Sequence, residues 1–157
     1  MAIVLKRVFN NETQTLAFAK YVATCCQKLL DHCVVIHLIG DLGAGKTTFA
    51  RGFIQTFGFD KVKSPTYSLV ESYENRQVFI HHFDCYRLSD PEELDFIGIR
   101  EYLSKGHIQL VEWPEMGQDF IAKADIEISL QGDGDKRDLS LLAKTELGES
   151  LKKCIER

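Results

Sequence analysis

Gly40-Asp41-Leu42-Gly43-Ala44-Gly45-Lys46-Thr47, followed by Thr48, is the stretch on which the reading of the whole chain turns. It fits a glycine, four free positions, then Gly-Lys-Ser/Thr, a pattern that binds phosphate. Glycines let the backbone take conformations that a Cβ forbids, so successive N–H groups can converge on one anion. Lys46 can reach the β- and γ-phosphates of a nucleotide, and the Thr47 hydroxyl stands where it can hold magnesium. A helix starting here adds its positive N-terminal end to the same spot.

The flanks supply the context that a short motif needs. Val34-Val35-Ile36-His37-Leu38-Ile39 is a nearly unbroken apolar run, suited to a strand buried on both faces. After the loop, Phe49, Ala50, Phe53 and Phe57 recur at helical spacing, and Gly58 supplies a stop. Strand, glycine loop and helix therefore follow in order.

The 157 residues, with a hydrophobic fraction of 45% and a charged fraction of 27%, describe one ordinary globular domain spanning 1–157. No apolar run is long enough to cross a membrane and the first residues are not a signal peptide, so a cytoplasmic location is expected. Cys25, Cys26, Cys33, Cys85 and Cys154 have no metal-ligand spacing and are expected as reduced thiols. A net charge of −4 gives no broad basic surface for unassisted nucleic-acid binding.

Along the chain, residues 3–9 read as a first strand. Asn11 with Gln14 resembles a helix start, and Leu16, Ala19, Ala23, Cys26 and Leu30 repeat as one buried helical face. His37 is read as a core or interface histidine with a backbone partner. Ser64-Pro65-Thr66 forms a loop entering a strand that includes Tyr67, Leu69 and Tyr73; Glu74-Asn75-Arg76 turns it back into Val78–Phe83. His81 and His82 fall on opposite faces and cannot share a metal. Asp84 closes the return strand, where an open α/β sheet presents ligand-binding groups; the competing reading is a cap for the turn toward Tyr86. Asp90-Pro91-Glu92-Glu93 starts a helix that Gly98 bends or divides. His107 to Glu112 is another strand ending in a carboxylate, before Trp113-Pro114. The pattern alone favours a core ring for Trp113. Ala124–Leu130 and Arg137–Leu142 read as strands joined by Gly132-Asp133-Gly134-Asp135, and Glu146–Ile155 as a final helix. The expected fold is α/β and P-loop NTPase-like: a mixed, mostly parallel sheet with an antiparallel hairpin and helices on both faces.

Taken in series, the phosphate loop, Ser64-Pro65-Thr66-Tyr67, His82-Phe83-Asp84-Cys85-Tyr86-Arg87-Leu88 and Val111-Glu112-Trp113-Pro114-Glu115 resemble the TsaE (YjeE) family. These are small bacterial P-loop ATPases of tRNA N6-threonylcarbamoyladenosine (t6A) synthesis. The likeness spans nearly the whole chain, residues beyond 117 adding little. It implies ATP as substrate, ADP as product, Mg2+ as cofactor, and the proteins TsaD and TsaB as partners whose turnover ATP hydrolysis supports; tRNA is involved indirectly. By the same resemblance Asp41, Leu42, Gly43, Ala44, Gly45, Lys46, Thr47 and Thr48 bind nucleotide, with Thr47, Asp84 and Glu112 toward the metal. Lys46, Asp84 and Glu112 are the catalytic set, Ser64, Pro65 and Thr66 a switch-like loop, and Trp113 a site-adjacent ring. Glu12 or Thr13 contacts the base.

The implied reaction is in-line attack of water on the γ-phosphate, driven by positioning and charge neutralisation. Either acid could orient water; the reading leans to Asp84 there, with Glu112 closer to the metal. A base-reading Asn-Lys-x-Asp segment is absent, which disfavours a GTPase; a small-molecule kinase and a non-catalytic nucleotide-dependent module are the other rivals. None of Arg51, Arg76, Arg87 and Arg100 stands out as a built-in finger. Since such a group is worth on the order of 10³-fold or more in rate, the isolated chain is expected to hydrolyse ATP slowly and its partners to raise the rate. Rapid turnover by highly purified protein alone would contradict this.

Overall fold

The computed structural model describes residues 3–157. Strand β1 (Leu5–Phe9) leads to helix α1 (Glu12–Cys26), which a single 3-10 turn at Gln27–Leu29 extends. Strand β2 (Val34–Ile39) feeds the glycine loop and α2 (Lys46–Thr56). Strands β3 (Val70–Glu74) and β4 (Phe79–Asp84) form the expected hairpin, followed by a one-turn α3 (Glu93–Phe96) and a 3-10 turn at Ile99–Tyr102. Strand β5 (His107–Glu112) precedes a 3-10 stretch at Pro114–Phe120; β6 (Ile126–Gln131), β7 (Arg137–Ala143) and α4 (Glu146–Glu156) complete the order.

All seven strands join one sheet in the order β1-β7-β6-β2-β5-β4-β3. The central four, β6, β2, β5 and β4, run parallel, and antiparallel neighbours close both margins. The phosphate-loop strand therefore lies at the middle, paired on both sides. This suits its nearly unbroken apolar composition, since a strand covered above and below has little face to give to water.

Alternation along the strands sorts the core into two layers. Val34, Ile36, Leu38, Ile108, Leu110, Ile126 and Ile128 pack beneath α1, α2 and α4, with Phe49 and Phe53 of α2 fully buried among them. Burying each of those rings contributes about 1.5–3 kcal/mol relative to exposure. Gly52 lets α1 and α2 approach closely: a Cβ there would lie 3.0 Å from Leu16 Cδ2 and 3.2 Å from the Leu16 carbonyl oxygen. On the opposite face Phe83, Val111, Leu94, Ile99 and Ile121 form a smaller layer under the short helical turns. Helices flank both faces as expected, unequally.

Several local expectations hold. Asn11 Oδ1 accepts the Gln14 N–H at 3.0 Å to start α1, and His37 Nε2 donates to the Ala122 carbonyl at 2.9 Å. Three differ. The strand expected from Tyr67 begins only at Val70: Leu69 sits at φ 71, its N–H bound to the Pro65 carbonyl, which leaves Tyr67 in a turn and 87% exposed. The helix beginning near Asp90 is divided at Gly98, at φ 77, as expected, but its first part lasts only one turn. Cys25 and Cys154 form a disulfide instead of remaining thiols, since the packing of α1 against α4 brings their Cα atoms to 5.9 Å. Cys26, Cys33 and Cys85 are free.

Asp125 ties these layers together. Its Oδ2 accepts the Val35 N–H at 2.8 Å, and its Oδ1 the Thr145 hydroxyl at 2.7 Å; Thr145 Oγ1 in turn accepts the Gly148 N–H to cap α4. One carboxylate thus anchors the start of the phosphate-loop strand and the last helix. Asp125→Ala is expected to lower stability by roughly 2–3 kcal/mol through two lost hydrogen bonds and an orphaned backbone donor. Urea titration reads this, and a change below about 0.5 kcal/mol would contradict it.

Candidate functional site

The loop leaves β2 at Gly40 and re-enters regular structure at Lys46. Gly43 at φ 81 and Gly45 at φ 103 occupy left-handed backbone where a side chain is strained, which explains glycine at both positions. In α2 the Phe49 N–H bonds back to the Gly45 carbonyl at 2.9 Å. The N–H groups of Lys46, Thr47 and Thr48 precede that bond and point toward the loop, as at any helix N-terminus.

A cavity of about 300 Å³ opens over this loop, lined by Leu42, Gly43, Gly45, Lys46, Thr47 and Thr48 together with Thr66, Asp84, Tyr86, Arg87, Glu112, Trp113 and Arg137. Residues far apart in the chain meet there because of the sheet. In the parallel ladder of β4 and β5, Asp84 pairs directly with Glu112, and Leu38 of β2 pairs with Glu112 from the other side. Two carboxylates therefore stand at the carboxyl ends of adjacent strands, beside the loop that follows the third.

Lys46 is only 5% exposed. Its Nζ donates to the Gly40 carbonyl at 2.6 Å and lies 4.1 Å from the centroid of the Trp113 ring. Burial pulls its ammonium below the ordinary lysine range, with Glu112, Asp84, Glu115 and Asp41 pulling the other way. Trp113 is half-buried at φ 54 on the cavity wall, tilted against Tyr86 with centroids 4.8 Å apart. The pattern's preference for a core ring gives way here to a wall of the cavity, because the left-handed residue turns the chain at the end of β5.

The acids differ in their settings. Asp84 Oδ1 accepts the Tyr86 N–H at 3.0 Å, so the carboxylate does cap that turn, and its Oδ2 stands 3.5 Å from the Thr66 hydroxyl. Glu112 is 4% exposed and its Oε2 accepts from His82 Nε2 at 2.6 Å. Of Ser64, Pro65 and Thr66 only Thr66 lines the cavity; Ser64 bonds the Thr66 hydroxyl at 2.7 Å and Pro65 is buried. Ala44 lies inward in the core and Asp41 is exposed on the loop. Glu12 pairs with Arg51 and lines a smaller cavity of about 90 Å³ beside Gly45 and Thr48, whereas Thr13 is exposed and outside it.

Arg137 is a member that sequence reasoning missed. Its Nη2 donates to the Gly43 carbonyl at 3.1 Å and its Nη1 to the Gly134 and Lys136 carbonyls, which fastens the last hairpin to the phosphate loop. No local pattern marks it, since the contact spans 94 residues. Arg87 also lines the cavity, its guanidinium 4.7 Å from the Tyr67 ring centroid. Three cations thus face two carboxylates, a balance suited to a polyanion that brings its own divalent counter-ion.

A family model described as "Threonylcarbamoyl adenosine biosynthesis protein TsaE" matches residues 9–139. The chain belongs to the TsaE family. Among TsaE relatives, the tRNA threonylcarbamoyladenosine biosynthesis protein of Haemophilus influenzae is 44% identical over 149 residues, covering 94% of each chain. That of Bacillus subtilis is 34% identical over 111 residues, 69% of each chain. The crystal structure of Bacillus subtilis YdiB superposes with a TM-score of 0.81 at 27% identity, over 100% of this chain and 97% of the other. The TsaE fold, P-loop NTPase-like, is therefore shared along the full length, and the family's process is t6A biosynthesis. Among the described residues no helix is long and apolar enough to cross a membrane.

The contact of Lys46 with Trp113 gives an optical handle. Drawing the ammonium from the ring to a phosphate is expected to change the emission of this single tryptophan when ADP or ATP is added with magnesium. An unchanged spectrum at saturating nucleotide would contradict nucleotide binding beside Trp113.

Proposed function

We propose that this TsaE-family protein is a magnesium-dependent ATPase of low intrinsic activity that supports t6A formation on tRNA through the TsaD and TsaB proteins. The observation that carries the proposal is the convergence of Lys46, Thr47, Asp84 and Glu112 on one cavity over a left-handed glycine loop. The donors suit magnesium: a hydroxyl and one or two carboxylates, hard oxygens, leave positions for water and phosphate oxygens.

When bound, magnesium would neutralise charge on the β- and γ-phosphates, with Thr47 and Glu112 as its protein ligands and Asp84 within reach through water. The chain's own groups do the rest. Lys46 exchanges the Gly40 carbonyl for phosphate oxygens, and the loop and helix N–H groups cradle the phosphate chain. Asp84, held by Tyr86 N–H and near Thr66, orients the attacking water. Arg137 is engaged by three carbonyls, and Arg87 stacks on Tyr67. Neither is free to act as a finger without rearrangement, in keeping with slow unassisted turnover. The reading places the protein in the cytoplasm, with tRNA engaged only through the partners.

The test is release of labelled phosphate from ATP, with and without TsaD, TsaB and tRNA. Hydrolysis stimulated by the partners and abolished by chelation of magnesium is expected; no hydrolysis under any combination would refute the ATPase. For Lys46→Ala, nucleotide affinity is expected to fall at least tenfold, as suits a lost charged hydrogen bond worth about 1.5–3 kcal/mol, while stability falls by only about 1 kcal/mol. Calorimetry and urea titration separate the two effects. Retained tRNA modification by a variant that cannot hydrolyse ATP would favour the non-catalytic module.

A further inference from the structure

His82 has no place in the mechanism above, yet it makes the shortest polar contact to one of its acids. It lies two residues before Asp84 on β4, on the same side of the strand, and its register partner on β5 is Leu110. Its imidazole therefore reaches diagonally across the ladder, behind Asp84, to the carboxylate of Glu112. Both side chains are nearly inaccessible, His82 at 1% and Glu112 at 4%. A carboxylate only accepts, so Nε2 carries the proton in this bond. Nδ1 is buried without a hydrogen-bond partner.

That orphan weighs against a purely structural pair. Packing hydrocarbon at this position would avoid desolvating both groups and would leave no unsatisfied nitrogen. What the bond accomplishes is directional: it occupies Oε2 and leaves Oε1 without a side-chain partner on a residue that lines the cavity. It also restrains Glu112 beside Lys46, whose ammonium is engaged by the Gly40 carbonyl and the Trp113 ring. The geometry points to His82 as a positioning residue that fixes the rotamer of Glu112, presenting one carboxylate oxygen to magnesium and keeping the carboxylate off Lys46. This rests on the functional reading given above.

Calorimetry of ATP binding with magnesium, and with chelator instead, tests the assignment on folded variants. His82→Leu keeps the volume and removes the donor; His82→Gln returns an N–H near the place of Nε2. Loss of a hydrogen bond that orients a metal ligand costs about 10- to 100-fold in metal affinity, so the magnesium-dependent gain in ATP affinity is expected to fall by that factor in His82→Leu. Binding in chelator should stay unchanged, and His82→Gln should recover most of the loss. In a Glu112→Ala background His82→Leu should have no further effect. The assignment is overturned by an unaltered magnesium dependence in His82→Leu, by equal damage from both substitutions, or by an undiminished effect without Glu112. Should the wild type bind no nucleotide, the functional reading falls by itself. His82 is then read from the proton NMR spectrum of the protein alone, where a slowly exchanging, far-downfield Nε2–H resonance lost in Glu112→Ala is expected. Its absence overturns the assignment.

Discussion

The site depends on the register between two parallel strands. Pairing Asp84 of β4 with Glu112 of β5, while Leu38 of β2 pairs with the same glutamate, sets three strand ends level at one edge of the sheet. Slippage of either strand by one residue would turn its acid to the face away from the glycine loop and carry Phe83 or Val111 out of the smaller layer. Hydrophobic alternation prevents this: Ile80, Ile108 and Leu110 must face the layer beneath α1 and α2, so the carboxylates in phase with them must face it too. The chemistry is thereby referenced to the core.

Left-handed backbone and buried charge meet at that edge. Gly43, Gly45 and Trp113 are all left-handed within the site, and Lys46 and Glu112 are charged side chains withdrawn from water. Glycine takes that backbone freely, whereas the left-handed Trp113 and each buried charge are unfavourable alone. Together they pre-arrange donors around a volume suited to phosphate, where the low dielectric strengthens attraction to a bound anion. The ammonium of Lys46 is held in reserve by a carbonyl and a ring, both weaker partners than a phosphate oxygen.

What could be read from sequence follows the range of the interactions. The loop, its strand and its helix are local, and glycine, lysine and threonine at fixed spacing announce them. Asp84 and Glu112 were legible because each ends an apolar strand. Non-local partners were not. His82 reaches Glu112 across 30 residues, Arg137 reaches Gly43 across 94, and Cys25 meets Cys154 across 129. All of these depend on sheet order or helix packing, which no window of sequence encodes. Trp113 was ambiguous for another reason, since hydropathy cannot show that a residue at φ 54 turns its ring into a cavity. Tyr67 misled because an aromatic beside a strand looks like part of it, while Leu69 breaks the extended run.

The grip of Arg137 on the Gly43 carbonyl bears on how the molecule is made. Strand β6 joins the ladder beside β2, and β7 brings the arginine, so the middle of the sheet stays open on one side until the chain is nearly finished. A polypeptide emerging from the ribosome would carry the glycine loop into solution long before its guanidinium clasp arrives. Vectorial synthesis thus leaves the cavity over the glycine loop as a late product of folding, closed by long-range contacts of the kind that make folding slow.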